Sequence, residues 1–328
     1  MAHHQHPIPS GFSPATTADE VLAGLDLSGR NIVVTGGHSG LGLETTRALA
    51  RAGASVFVAS RSVERAEAAV AQLEGRVVVE QLDLVDPGSI DAFVNRWRAS
   101  ERPLHVLVNN AAATSSKTVV RDERGYERQF STSHLGHFQL TLGLRPALVA
   151  ADGARVVMVS SGAQRFGRIR WDDPNFEKEY DGSAAYGQAK KANVLFAVEL
   201  DRRWAADGIR GFALHPGVVV GTTLNSAVGD AALRSMGLID EAGRPIIDPE
   251  RGKKTPRQGA STIVFAAASP RLDGYGGVYL LNSDISPLDD TSRSLSSDSI
   301  PAEATSSSID PDAARRLWVM SERLVAPA

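Results

Sequence analysis

The chain contains no cysteine. Disulfides, thiolate metal sites and cysteine nucleophiles are therefore excluded, and a thiol-free chain fits a reducing compartment. Charge of one sign is also scarce: 35 Lys and Arg stand against 38 Asp and Glu, a net charge of −3. With no block of like charges, the sequence offers no surface for nucleic acid. No apolar run approaches the roughly 18 residues that a membrane span needs. Residues 1–14 lack the apolar core of a signal peptide. They read as a polar, proline-dotted lead-in whose His3, His4 and His6 are tag-like rather than metal ligands. The absences point to a cytoplasmic protein with no metal centre, no nucleic-acid partner and no membrane span.

What is present is alternation. A chain of 328 residues with 42% hydrophobic content can bury one large core or two small ones. Strand-like runs fall at Asn31–Thr35, Ser55–Ala59, Val77–Leu82, His105–Asn109, Arg155–Ser160, Arg210–Leu214 and Val278–Leu281. Amphipathic stretches lie between them: Leu41–Ala52, Val63–Leu73, Ser89–Arg98, Tyr126–Leu148, Tyr186–Ala206 and Arg257–Ala268. This order predicts an α/β protein, a doubly wound parallel sheet with helices on both faces. The runs are nearly continuous in apolar residues, as strands covered on both faces should be. Excursions at 164–183 and 222–256 interrupt the pattern, and a Ser/Asp/Pro tract at 283–308 reads as irregular and loose. The predicted layout is a lead-in over 1–28, one domain over 29–282, and a tail over 283–328. The tail ends in a closing helix at Asp310–Leu324, with Asp310 as N-cap and Pro311 at its first position.

Directly after the first strand stands Thr35-Gly36-Gly37-His38-Ser39-Gly40-Leu41-Gly42, and a helix follows. The spacing is G-x-x-x-G-x-G. Glycines permit a tight turn and close backbone approach, and a helix N-terminus offers free N–H groups to a pyrophosphate. A P-loop is excluded by the missing Gly-Lys-Ser/Thr. A hydrolase elbow is excluded by Leu41, which stands where G-x-S-x-G needs glycine. At the end of the second strand, where an acidic residue would grip a ribose hydroxyl, stand Ser60 and Arg61. They suit a 2′-phosphate and point to NADP(H) over NAD(H), although Arg61 could also cap the next helix. Asp83 and Leu84, after the third strand, are placed to reach an adenine. Asn109, Asn110 and Ala111 put amides and a small side chain at the same sheet edge.

Tyr186 and Lys190 are four residues apart in a helical run, so phenol and ammonium share a face. Alone, such a pair is an ordinary pair of helix neighbours. In company it is not: with Thr35-Gly36-x-x-x-Gly40-x-Gly42, Asp83, Asn109-Asn110-Ala111, Ser160-Ser161 and Pro216-Gly217, the chain resembles the short-chain dehydrogenase/reductase family from Thr35 to about Leu281. His134-Leu135-Gly136-His137-Phe138, the run Ala185–Phe196 and His215-Pro216-Gly217 are similar to the branch of retinol dehydrogenases, WW-domain oxidoreductases and protochlorophyllide reductases. The whole chain resembles bacterial oxidoreductases of that branch.

The resemblance implies a Rossmann fold with a seven-stranded parallel sheet and NAD(P)-linked oxidation of alcohols or reduction of carbonyls. It implies Tyr186 as general acid or base, with Lys190 lowering its pKa and holding the nicotinamide ribose. Lowering a phenol by three units needs roughly 4 kcal/mol. Ser161 would hold the substrate oxygen. Gly36, Ser39, Gly40, Leu41, Gly42, Ser60, Arg61, Asp83, Leu84, Asn110, Ala111, Pro216, Gly217 and Val219 would join Tyr186 and Lys190 around the cofactor. Ser133 stands where the family has asparagine, whose main-chain carbonyl holds a relay water behind the lysine. The excursion at 164–183 would add a substrate wall, with Phe166, Trp171, Phe176, Leu224, Met236 and Leu238 as candidate pocket residues. The two long helices, Tyr126–Leu148 and Tyr186–Ala206, would pair copies into a homodimer or homotetramer. The readings held open are an NADP(H)-dependent oxidoreductase acting on a small carbonyl or alcohol, an NAD-dependent alcohol dehydrogenase, and a nucleotide-sensing regulator with little turnover.

Overall fold

Apolar runs become strands and amphipathic stretches become helices in near-strict alternation. The computed structural model describes residues 5–114, 116–220, 229–294, 296 and 299–326. In chain order the elements are α1 (Ala18–Leu22), β1 (Asn31–Thr35), α2 (Gly40–Arg51), β2 (Ser55–Ser60), α3 (Val63–Val70), β3 (Arg76–Gln81), α4 (Pro87–Ala99), β4 (Val106–Asn109) and α5 (Arg128–Phe130). Then follow α6 (Gly136–Val149), β5 (Ala154–Val159), α7 (Gly182–Trp204), β6 (Ile209–His215), α8 (Asp230–Ser235), α9 (Pro256–Ala268), β7 (Val278–Leu281), β8 (Asp284–Ile285) and α10 (Pro311–Val325).

The strand order is β3-β2-β1-β4-β5-β6-β7-β8. The first seven strands run parallel, as expected, and β8 adds an antiparallel edge. That addition comes from Asn282 and Ser283, at φ 53° and 58°. Two positive φ values in a row make the tight hairpin turn whose twist matches paired strands. The order reverses between β1 and β4, the place where open sheets take ligands beyond their C-terminal ends.

Strand residues alternate between two apolar layers. Ile32, Val34, Val56, Val58 and Val157 pack with Leu49, Ile263 and Phe265 on one face. Val33, Phe57, Leu107, Val156 and Met158 pack with Phe93, Phe138, Leu144 and Leu200 on the other.

The flanking segments are built into this body rather than left loose. Gln5 is buried, and its amide stands in for a strand beside β7: Nε2 donates to Tyr279 O (2.8 Å) and Ser286 O (2.7 Å), and Oε1 accepts from Tyr279 N–H (2.9 Å). A Thr17–Glu20 capping box starts α1, whose Ala18, Val21 and Leu22 join the core. At the other end Trp318 of α10 lies 5.0 Å from Phe138, 5.6 Å from Phe196 and 5.6 Å from Trp204, ring centre to ring centre. The two long helices expected to pair between copies are thus covered, on this face, by a helix of the same chain.

The stretch expected as one helix over Tyr126–Leu148 is divided. A π-helical turn, Ser131–Leu135, separates α5 from α6. In it Ser131 donates to Asp122 (2.6 Å) and His134 Nε2 lies 2.7 Å from Ser321 Oγ of α10. Among the described residues no helix is long and apolar enough to cross a membrane.

Candidate active site

β1 stops at Thr35 because Gly36 turns away at φ 64°, and Gly40 starts α2 at φ 52°. A Cβ on Gly42 would fall 2.3 Å from Gly36 O and 2.6 Å from Asn110 Nδ2, so the helix start and the loop touch backbone to backbone. Ser39 is the N-cap of α2, yet its hydroxyl makes no capping bond among the described residues. The first N–H groups of α2 are therefore not taken by their own cap. Leu41 packs into the core beside Gly259.

Thr35 ties this loop to β4. Its hydroxyl oxygen accepts from Asn110 N–H (2.9 Å) and Ala111 N–H (3.0 Å), while Asn110 Nδ2 donates to Thr35 O (2.9 Å). The Thr35 hydroxyl also lies 2.8 Å from His137 Nε2, and His137 Nδ1 lies 3.1 Å from Ser133 O. A carbonyl only accepts, so Nδ1 carries the proton and Nε2 accepts from the threonine. Burial drives His137 down to about 4, leaving the ring neutral. His137 is a missed member of the site: the sequence showed it only inside a family string.

Beyond β2, Ser60 is buried and its hydroxyl donates to Ser62 O (3.1 Å). Arg61 is exposed. The charges of Arg65 and Arg61 join burial in lowering the pKa of His38, whose Nδ1 is buried without a partner among the described residues. Arg65 and Arg61 thus lie near enough to His38 to favour its neutral ring, and of the two only Arg61 is expected from the sequence. Asp83 caps its own turn by accepting Val85 N–H (3.1 Å), and Leu84 is buried with its carbonyl against Gly136.

Ser160 and Ser161 diverge at the end of β5. Ser160 Oγ donates to Lys190 O (2.6 Å) and is spent on structure. Ser161 Oγ accepts from Ala163 N–H (3.2 Å), and its hydroxyl acts to lower the pKa of Tyr186. His215 Nδ1 accepts Gly162 N–H (3.0 Å) and pins the turn after Ser161. Asp181 caps α7 by accepting Ala184 N–H (2.7 Å), starting it four residues before Tyr186. Gly187 is a second missed residue. A Cβ on the facing Gly167 would lie 2.1 Å from Gly187 O, so glycine on both sides lets the Ser161 turn reach the Tyr186 helix.

Lys190 Nζ donates to Val159 O (3.0 Å) and lies 5.6 Å from the centre of the Tyr186 ring. Burial brings this lysine down to about 8. The expected lowering of Tyr186 is not what the chain alone produces. Burial raises the phenol, and the Ser161 hydroxyl offsets only part of that. The physical reason is desolvation, which penalises both charged forms at once. Pro216 and Gly217 (φ 90°) follow β6, and Val219 is buried beside Gly259. Val218 N–H donates to Gly252 O (2.8 Å) and Lys254 N–H to Val218 O (2.9 Å), so the excursion that follows is pinched shut at its base.

The candidate pocket residues part company. Trp171 lies under the Arg316 guanidinium (4.2 Å) in the packing around α7 and α10, and Phe176 is buried against Tyr180. Leu238 packs with Leu233 and Ile239. Phe166 and Met236 remain about half exposed. Leu224 lies outside the described residues, as do Thr222 and the other first residues of its excursion.

A parallel sheet with a glycine loop after β1, and serine, tyrosine and lysine gathered beyond β5, defines a class, and comparison with known proteins agrees. Residues 30–232 match the family model described as short chain dehydrogenase. The chain belongs to the short-chain dehydrogenase family. It is 44% identical over 300 residues to a protein of Streptomyces lividans described as a probable oxidoreductase, covering 90% of this chain and 97% of that one. It is 37% identical to the WW domain-containing oxidoreductase of Danio rerio (97% and 73% covered) and 38% identical to mouse (Mus musculus) retinol dehydrogenase 12 (78% and 78%). Among solved structures, an uncharacterised protein of Mycobacterium paratuberculosis matches with TM-score 0.69 and 31% identity over 93% of this chain and 96% of that one.

Proposed function

We propose that the chain is an NADP(H)-dependent oxidoreductase that interconverts a carbonyl and an alcohol. One observation carries the reading: Lys190 Nζ sits 5.6 Å from the centre of the Tyr186 ring and donates to Val159 O at the end of β5, the strand that Ser161 follows. The residues fit a nicotinamide dinucleotide, because α2 offers N–H groups left free by its N-cap and Gly42 leaves no side chain over them. Bound NADPH would supply the hydride, and NADP⁺ would accept it. Ser161 would donate to the substrate oxygen and hold it at Tyr186. A phenol raised above its ordinary value keeps its proton near neutrality, which suits donation to a carbonyl oxygen. The Lys190 ammonium would stabilise the phenolate left behind. His38, Arg61 and Arg65 support the phosphorylated cofactor, since guanidinium pairs with phosphate and no carboxylate ends β2. Relatives described as oxidoreductase and retinol dehydrogenase support the reaction class.

The test is NADPH oxidation with a panel of aldehydes and ketones, using wild type and Tyr186→Phe. Wild type turns over and prefers NADPH to NADH in kcat/KM. The variant loses about 10²- to 10⁴-fold in kcat, the range for a removed general acid. Unchanged turnover in the variant would overturn the mechanism, and an NADH preference would overturn the cofactor.

A further inference from the structure

The N-terminal edge of the sheet, opposite the site above, carries a row of basic side chains. Arg30 precedes β1, His105 precedes β4, and Arg155 and Arg210 are the second residues of β5 and β6. These four strands are neighbours in the sheet. Arg155 pairs directly with Arg210, and Arg155 N–H donates to His105 O (2.9 Å). Like charges opposed on adjacent strands cost stability. All four side chains line one cavity of about 360 Å³, closed on its apolar side by Leu27 and Pro270 among others.

The acidic groups nearby leave part of this charge open. Asp201 takes Arg210 through two bonds (2.7 and 3.2 Å) and also Gly211 N–H (3.1 Å), so both its oxygens are engaged. Asp273 meets Arg155 Nη2 at 2.9 Å from the rim, where its side chain is 74% exposed, and Arg155 Nη1 donates to Ala266 O (3.2 Å), so each terminal nitrogen keeps one N–H to offer. Asp26 holds Ser28 N–H (2.9 Å). The Arg30 side chain has no hydrogen bond or ion pair among the described residues. His105 accepts Asn31 N–H on Nδ1 (3.0 Å), so its neutral ring keeps the other nitrogen as a donor. Burial, with Arg30 and Arg210 close by and against the pull of Asp273, holds the Arg155 guanidinium below its ordinary value. Burial and Arg30 likewise lower His105.

We propose that this basal cavity is a second ligand site, separate from the cofactor cleft, that binds a small phosphate-type oxyanion. Guanidinium forks match the oxygens of such an ion two at a time. Phosphate presents enough acceptors to meet Arg30, Arg155 and the His105 donor together. Binding to the folded chain alone would stabilise it in proportion to ligand concentration over Kd.

The experiment is thermal unfolding of the full chain, titrated with inorganic phosphate against chloride at matched ionic strength. Wild type, Arg30→Gln and Arg61→Gln are compared. Arg30 is exposed, and its variant's Tm without phosphate shows whether it folds. The expected result is a rise in Tm with phosphate whose apparent Kd weakens about tenfold in Arg30→Gln, the loss of one charged pair, and stays unchanged in Arg61→Gln. No rise beyond chloride, an equal rise in Arg30→Gln, or a rise removed by Arg61→Gln would each overturn the proposal. Glycerol phosphate in a parallel arm separates the sources. A rise that depends on Arg30 assigns the site to phosphate esters, and one seen with inorganic phosphate alone assigns it to the free ion.

Discussion

The two halves of the sheet's C-terminal edge are built by different means. From β1 to β4 the edge is made of backbone: Gly36 and Gly42 touch without side chains, and Thr35 binds the amides of Asn110 and Ala111. From β5 to β7 it is held by side chains reaching to the far end of the chain. Gln164 Nε2 donates to Glu303 O (2.8 Å), Ser308 bonds Gln164 Oε1, Lys191 Nζ donates to Ser307 Oγ (2.9 Å), and Arg165 Nη1 donates to Glu303 O (3.1 Å). Pro301 and Ala302 press against Gly162, next to Ser161. The β1–β4 half therefore depends on the absence of atoms, and the β5–β7 half on a distant segment being in place.

The largest effect should come from filling the first half. In Gly42→Val the added carbons cannot clear Gly36 O or Asn110 Nδ2 without moving the start of α2. NADPH binding, followed by fluorescence titration, should be lost, with overpacking costing about 1–3 kcal/mol of stability. Binding retained at wild-type strength would mean that this loop is not the cradle.

A smaller and different effect should come from the second half. Gln164 is fully buried, and Gln164→Leu takes one donor from the Glu303 carbonyl, which keeps Arg165, and one partner from the Ser308 hydroxyl, which keeps Thr305. Each lost hydrogen bond costs about 0.5–1.5 kcal/mol. Because Gln164 sits three residues after Ser161, kcat should fall about tenfold, or about 1.4 kcal/mol of barrier, while NADPH affinity holds. Equal losses in both would show that the two halves are one unit.

This division also explains what the sequence could reveal. The glycine loop, Asn110-Ala111 and the Tyr186–Lys190 spacing are local, so their order along the chain already carried their arrangement. The docked ends were not local. Gln5 finds Tyr279 and Ser286 more than 270 residues away, and a polar residue near a terminus gives no sign of that. The Ser/Asp/Pro tract looked loose because its anchors, Gln164, Arg165 and Lys191, lie on other elements. Phe176 and Trp171 looked like pocket residues because aromatics in an excursion do not declare which way they pack. Arg65 comes near His38 only once α3 folds back beside the loop.

Ser133 is where the two halves meet, and it should give the smallest effect. Its carbonyl, not its hydroxyl, accepts from His137, which in turn receives the Thr35 hydroxyl. A relay that uses the main chain at this point is indifferent to the side chain. Ser133→Asn should therefore keep turnover within about threefold, while the larger side chain at a site only 2% exposed costs about 1–3 kcal/mol in stability. The pH profile separates the two contributions. Lys190 titrates near 8, so its ammonium is present below that pH and lost above it. For carbonyl reduction kcat/KM should fall as pH rises through about 8, at the same position in wild type and variant. A limb displaced by a full unit, or turnover abolished in a folded variant, would make the serine hydroxyl itself part of the proton path.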